Sequence, residues 1–177
     1  DSKEVIAIAS DFDVDGIFSS MILHTAFTTV GAECFVETPN RVTEGYGLNQ
    51  RIVDDAVEKG AGLLITCDNG IAALNEVAYA KEKGLTVIVT DHHEVPFEEQ
   101  EDGSRIYIKP EADAIVNPKQ KECTYPFSKL CGAGVTFKLS QVLYRHYGIE
   151  ETNLKPLIEY ASIATVADVM DLEDENR

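Results

Sequence analysis

Leu85-Thr86-Val87-Ile88-Val89-Thr90-Asp91-His92-His93 is the stretch that decides the fold. Its first six residues are apolar or β-branched, the composition of a strand buried on both faces. The three that follow place a carboxylate and two imidazoles where that strand ends, and packing gives no reason for such a cluster. The same design recurs upstream. Val5-Ile6-Ala7-Ile8-Ala9 runs into Asp11-Phe12-Asp13-Val14-Asp15-Gly16, and Leu63-Leu64-Ile65-Thr66 runs into Asp68-Asn69-Gly70. Apolar strands that each deliver acid or imidazole at the C-terminal end describe an open α/β sheet, which places its ligands at that edge.

Working outward, strand and helix patterns alternate. Strands are expected at 4–10, 34–38, 63–66, 86–90 and 114–116. Helices are expected at Gly16–Val30 with Gly31 as its stop, at Gln50–Lys59 with Asn49 as its cap, and at Ala72–Lys83 before Gly84. After Asn117-Pro118 the chain turns helical: Gly132–Tyr147 is amphipathic, and Asn153 is placed to cap a helix running through Leu157, Ile158, Ala161 and Ile163. Asp102-Gly103 is a turn signal, and Arg105–Lys109 alternates enough for a short hairpin arm outside the core. The expectation is an α/β fold: a mainly parallel five-stranded sheet flanked by helices, with right-handed crossovers and C-terminal helices.

At 177 residues one domain is the expectation. The abrupt start on a strand and the stop soon after Asp168 suggest a domain excised from a longer protein. No run approaches the roughly 18 apolar residues of a membrane span, and no signal-peptide pattern opens the chain. The cysteines (Cys34, Cys67, Cys123, Cys131) lack Cys-x-x-Cys spacing and read as reduced thiols of a cytoplasmic protein. The net charge of −16 argues against a basic nucleic-acid face on this chain. Part of that excess is local, in 98–102 and 171–175; most of the rest is a solvated acidic surface.

The strand ends carry the chemistry. Asp11, Asp13 and Asp15 alternate, so in an extended segment all would face one point, and Gly16 would let the backbone turn into the helix. Two unit charges about 4 Å apart cost roughly 4 kcal/mol at an effective dielectric near 20. Adding Asp68 and Asp91 makes the cluster untenable without raised pKa values or bound cations. With His92 and His93 alongside, metal is the better solution. An oxygen-rich set with imidazole and no thiolate favours Mn²⁺ or Mg²⁺ over a closed zinc site, and so many acids suggest two ions. Such a pair suits phosphoryl transfer. Each motif alone is weak. Asp11–Asp15 starts like a calcium loop but has Ile22 where that loop needs its glutamate. Asp68-Asn69-Gly70 alone would be an ordinary turn, and His24 and His146 read as plain helix residues.

Taken in order, Asp11–Gly16, Asp68–Gly70, Asp91–His93 and Ala164-Thr165-Val166-Ala167-Asp168 resemble the four motifs of the DHH phosphoesterase superfamily. Asn40–Leu48, Ile115–Lys119, Tyr125-Pro126, Leu130–Val135 and Phe137–Leu139 are similar to its RecJ-like branch of single-strand-specific DNA exonucleases. The resemblance covers nearly the whole chain. It implies a Rossmann-like DHH domain in which Asp13, Asp15, Asp68, His92 and Asp168 are metal ligands, with Asp68 the bridge and Asp11 beside them as a ligand or just behind. Asp168 enters through the resemblance alone. It also implies that His93 binds phosphate or assists as an acid, that Asp91 orients a histidine, and that Asn69 contacts substrate. Ala9 stands where many relatives carry a histidine, which argues against the pyrophosphatase branch. Gly132 and Gly134 at a helix start would offer N–H groups to a phosphate, or simply allow tight packing. Arg41 and Tyr46 would contact nucleic acid, Tyr46 by stacking, or else pack their loop.

The activity implied is metal-dependent 5′-to-3′ hydrolysis of single-stranded DNA in repair and recombination, with a single-strand-binding protein or helicase as partners. The family's second catalytic-core domain and the branch's OB-like domain are absent from these residues, and they would carry much of the DNA-binding charge. The rivals are a DHH phosphodiesterase for short oligonucleotides or cyclic dinucleotides, and a non-catalytic DHH scaffold in a replication complex.

Overall fold

Branched and small residues alternate along Val5–Ser10 (β1), so Ile6 and Ile8 face one side of the sheet and Ala7 and Ala9 the other. In the computed structural model, which describes residues 4–177, this strand is the pivot of the molecule. The chain continues through α1 (Val14–Thr29), β2 (Cys34–Glu37), α2 (Gln50–Glu58), β3 (Ala61–Cys67), α3 (Leu74–Glu82) and β4 (Thr86–Thr90). A hairpin of β5 (Phe97–Glu99) and β6 (Arg105–Tyr107) precedes β7 (Ala114–Val116), and α4 (Gly132–Tyr147) and α5 (Lys155–Ala167) complete the order. The five-stranded sheet is parallel throughout, in the order β2-β1-β3-β4-β7. The chain leaves β1 toward β2 and returns to β3 on β1's other side. The switch point, where such sheets open a crevice, therefore lies between the C-terminal ends of β1 and β3.

Both faces are covered. On the Ala7/Ala9 face, Ile52, Val53 and Ala56 of α2 and Val77 and Ala80 of α3 pack on Leu64, Val87 and Val89. On the Ile6/Ile8 face, Leu23 and Phe27 of α1 meet Ile65, with Leu139 and Leu143 of α4 alongside. Helix α5 joins α1 and α4 in a second apolar cluster of Ile22, Ala26, Phe137, Tyr144, Leu157, Ala161 and Ala164. Each large apolar side chain, fully buried, contributes roughly 1.5–3 kcal/mol.

Local chemistry moves some expected boundaries. Helix α1 starts at Val14, ahead of Gly16, because Asp13 caps it: Asp13 Oδ1 accepts from Gly16 N at 2.9 Å. Asn49 caps α2 as expected, accepting from Ile52 N at 3.0 Å. Asn153 does not cap α5. It lies in a 3₁₀ turn, Glu151–Leu154, and its amide donates to Glu150 O at 3.1 Å. Helix α5 instead opens at Lys155 with Pro156 in its first turn, where no N–H is needed. The hairpin β5–β6 is antiparallel and separate from the main sheet. His24 and His146 are exposed on their helices, and all four cysteines are free. Among the described residues, no helix is long and apolar enough to cross a membrane.

Candidate metal centre

The three acids after β1 do not share one extended face, because the chain has already turned into α1. Asp11 is buried, and both its oxygens are committed to backbone. Oδ1 accepts from Phe12 N and Oδ2 from Gly47 N, each at 3.0 Å, which ties the loop before α2 to the end of β1. Asp13 is the exposed helix cap. Asp15, in the first turn of α1, is 3% exposed and points inward. Gly16 serves close approach more than turning: a Cβ there would lie 2.6 Å from Asp11 O.

After β3, Asp68 adopts a left-handed conformation (φ 62°), uncommon for a residue with a Cβ. Its N–H donates to Thr90 O at 3.1 Å, which lashes the ends of β3 and β4 together. Gly70 completes the turn at φ 110°, packed on Thr66, whose hydroxyl donates to Asn69 O at 2.7 Å. The Asn69 amide donates to Cys67 O at 3.0 Å and Ala9 O at 3.3 Å. Asn69 thus braces β1 against β3 at the crevice.

After β4, Asp91 is 1% exposed and acts as a local organiser. Its Oδ2 accepts from Ile71 N at 2.9 Å; its Oδ1 accepts from His92 N at 2.7 Å and from His93 N at 3.1 Å. The same Oδ1 lies 2.8 Å from His93 Nδ1, which places a proton on that nitrogen and leaves Nε2 for the cleft. The hydrogen bond to Asp91 holds the His93 imidazole above its ordinary pKa. Burial works to raise Asp91, but His93 and the backbone donors keep its carboxyl below the usual range. His92 is buried, and burial depresses its pKa, so it is a neutral imidazole fit for a cation.

The remaining pieces come from α4 and α5. The first N–H groups of α4, on Gly132 and Ala133, donate to Asp15 Oδ2 and Oδ1 at 2.6 and 2.8 Å. Gly134 N turns to Cys131 Sγ at 3.4 Å. These groups hold a carboxylate and a thiol of the chain itself, which favours the packing alternative for Gly132 and Gly134 over an offer of N–H groups to a phosphate. Gly132 serves packing: a Cβ would sit 2.7 Å from Asp68 Cβ. Asp168 ends α5 and faces the same point.

The side chains converge on His92. Its Nε2 lies 3.0 Å from Asp68 Oδ1, 3.6 Å from Asp15 Oδ2 and 3.8 Å from Asp168 Oδ2. Among the described residues, two groups have the spacing to hold a cation: Asp68–His92–His93 and Asp15–His92–Asp168. Asp13 belongs to neither group, and Asp11 lines the cleft behind them. The fit to a hard divalent ion is good. Asp68 Oδ1 is buried without a hydrogen-bond donor, its closeness to His92 being poorly aligned, and His92 Nδ1 is also unpartnered. Burial first, then the charges of Asp15, Asp13 and Asp91, push the Asp68 carboxyl up to about 11. Burial also raises Asp168. A cation relieves both the crowding and the orphaned oxygen. No cysteine joins either group, in keeping with an oxygen-and-imidazole site.

A cleft of about 470 Å³ adjoins the cluster, lined by Asp11, Asp13, Tyr46, Asp68, Asn69, Asp91 and His93 among others. Tyr46 is 66% exposed at its mouth; its ring centroid lies 4.2 Å from that of Phe12, and Arg41 covers the Phe12 ring at 5.4 Å. Asn117 was missed by sequence reasoning. It is 2% exposed, and its amide donates to His93 O at 2.9 Å, fixing the loop that bears the histidines. The signal was an Asn-Pro pair directly after a strand.

The DHH family, N-terminal domain, matches residues 5–167. The chain is 41% identical over 175 residues to the single-stranded-DNA-specific exonuclease RecJ of Bacillus subtilis, covering 99% of this chain and 20% of that protein. A crystal structure of exonuclease RecJ bound to manganese matches with a TM-score of 0.82 at 30% identity, over 99% of this chain and 41% of that one. RecJ from Thermus thermophilus in complex with Mn²⁺ matches at 0.76 and 27% identity, over 99% of this chain and 23% of that one. The chain thus spans about a fifth of the length of the Bacillus relative.

Proposed function

The chain belongs to the DHH family, N-terminal domain, and on that premise we propose that it binds two divalent cations, Mn²⁺ or Mg²⁺, for hydrolysis of phosphodiester bonds in single-stranded DNA. The observation that carries this reading is the convergence of buried Asp15, Asp68 and His92 with the half-exposed Asp168 at the switch point of the sheet. Similarity to manganese-bound RecJ structures supports it.

In this reading Asp15, Asp68, His92 and Asp168 would hold the ions, and Asp13 would complete the set from the cap of α1. Asp11 holds the loop that frames the cleft. The bound ions would supply a nucleophile at neutral pH and offset charge on the phosphate. His93, held by Asp91, presents Nε2 to the cleft, where its proton can meet a phosphate oxygen or the leaving oxygen. Tyr46 offers an exposed ring to a base, and Arg41 a cation to the backbone, beside an otherwise acidic chain. Asn69 acts on substrate by bracing the crevice. The 5′-to-3′ direction, the role in repair and recombination, and helicase or single-strand-binding partners rest on the family likeness and belong to a protein of the relatives' length, with this chain as its DHH domain.

The test uses protein of that length, loaded with Mn²⁺, on 5′-phosphorylated single strands. Release of mononucleotides, abolished by Asp68→Ala, is the expected result. Hydrolysis of dinucleotides with long strands left intact would replace this reading with the short-oligonucleotide phosphodiesterase.

A further inference from the structure

Asp168 differs from the other cation-facing groups in how it is held. Asp15 is gripped by two N–H groups of α4, and Asp68 and His92 ride on strand ends tied to neighbouring strands. Asp168 is the C-cap residue just past α5, with a side chain 34% exposed. The chain then reverses through Val169 at φ 55°, a conformation that a β-branched residue rarely adopts. Asp174 is also left-handed, at φ 45°. Backbone bonds close the turn itself, Met170 N to Thr165 O at 3.1 Å and Val169 N to Val166 O at 3.2 Å, and side-chain contacts hold the path that follows.

Those side-chain contacts mostly reach the loop before α4 or α4 itself. Asn176 Nδ2 donates to Lys129 O at 2.7 Å and back to Asp171 O at 3.0 Å. Lys129 Nζ donates to Asp171 Oδ2 at 2.8 Å and Glu173 Oε1 at 2.6 Å. Tyr125 OH donates to Glu175 at 2.8 Å, and Lys138 pairs with the same carboxylate. Met170 seats against the cluster under α4 and α5. Lys129 lies three positions before Gly132, whose N–H holds Asp15. One set of bonds therefore joins the segment after Asp168 to the segment that fixes Asp15, and the two carboxylates share His92 across one candidate cation position.

We propose that residues 169–177 form a clasp that positions Asp168 for the cation, with Asn176 as its anchoring residue; this rests on the metal reading above. The ion pairs of Lys129 are exposed and weak on their own. Asn176 matters more, because it ties the Lys129 carbonyl before α4 to the Asp171 carbonyl within the segment at once. Without it, Val169 relaxes toward negative φ and swings Asp168 off the site, while the helices stay packed.

Calorimetric titration of this chain with Mn²⁺, paired with metal-free melting, tests the clasp. Asn176→Ala should weaken Mn²⁺ binding about tenfold, as loss of a group that orients a ligand does. It should move the metal-free melting temperature by less than about 2 °C. Val169→Gly in that background should recover about threefold, since glycine takes the left-handed conformation without strain. Should Asn176→Ala fail to fold, the Lys129→Met/Glu175→Gln pair opens the same clasp from the surface and should also weaken binding. Unchanged affinity in the variants overturns the clasp alone. Affinity lost only in step with metal-free stability, with no recovery by Val169→Gly, reduces it to ordinary packing and overturns it too. If the parent binds no Mn²⁺, the metal reading fails and the clasp falls with it.

Discussion

Asp68 holds the sharpest conflict in the molecule, a carboxylate buried among carboxylates with one oxygen lacking a donor. Asp68→Asn keeps a residue that tolerates the left-handed conformation but removes the cost of burying a carboxyl that must take up a proton or bear a charge among its neighbours. The metal-free protein should gain about 1–2 kcal/mol, within the range assigned to an unsatisfied buried polar group. Mn²⁺ affinity should fall by more than about 100-fold, beyond the loss typical of groups behind the ligands. Melting and calorimetry on the one variant check both, and a destabilised metal-free protein would remove the repulsion argument. The acids at the strand ends were legible because each follows an apolar run. The role of Gly132 was not, since its neighbour Asp68 lies just past β3 and only packing brings α4 against it. Gly132→Ala should cost about 1–3 kcal/mol by overpacking and weaken Mn²⁺ binding. Gly134→Ala, whose Cβ would meet only the Leu130 side chain at 3.2 Å, should be within about 1 kcal/mol of neutral. Equal costs in denaturant melts would show that Asp68 does not set the limit.

Elements were legible as existing pieces, less so at their ends. The Asp11–Asp15 alternation suggested an extended segment; the cap made by Asp13 draws the helix forward and sends the three acids to three different jobs. The loop before α2 was legible as a motif but not as a shape, because its shape depends on Arg51 within that helix. Arg51 bonds Glu44 through Nε at 2.6 Å, Thr38 O at 2.8 Å and Asp55 at 2.6 Å, and so fastens the loop that carries Arg41, Tyr46 and Gly47. The hydrogen bond from Arg51 lowers the Glu44 carboxyl from 4.5 to about 2. A carboxylate depressed in the folded state adds stability that is present above its unfolded pKa and is lost as pH falls through the folded one. Glu44→Gln should therefore melt slightly below the parent at pH 7, and the difference should close as pH falls from about 4.5 toward about 2. Thermal melts across that window check it; a gap that widens toward acid would contradict the pairing.

At the scale of the whole molecule, strand and helix alternation announced a parallel sheet. The strand order that puts β1 and β3 at the switch point depends on which edges the crossovers choose, and no local pattern states that. Net charge was legible, but its division was not. Of the −16, Asp15, Asp68 and Asp168 contribute around His92, and most of the rest is spread over exposed surface and the 171–175 segment held by lysines. The two populations should respond differently to ions. Surface repulsion is screened within about 10 Å at 0.1 M salt, so added NaCl should raise the metal-free melting temperature. The buried cluster is screened far less and needs a cation inside it. Mn²⁺ at about 100 times its dissociation constant should add roughly 2.7 kcal/mol of stability, and this increment should persist in about 0.5 M NaCl at matched saturation. Melting with NaCl alone, Mn²⁺ alone and both together separates the two. An Mn²⁺ increment that vanishes in high salt would mean that the ion merely screens the surface, and the convergence on His92 would then have no part in binding it.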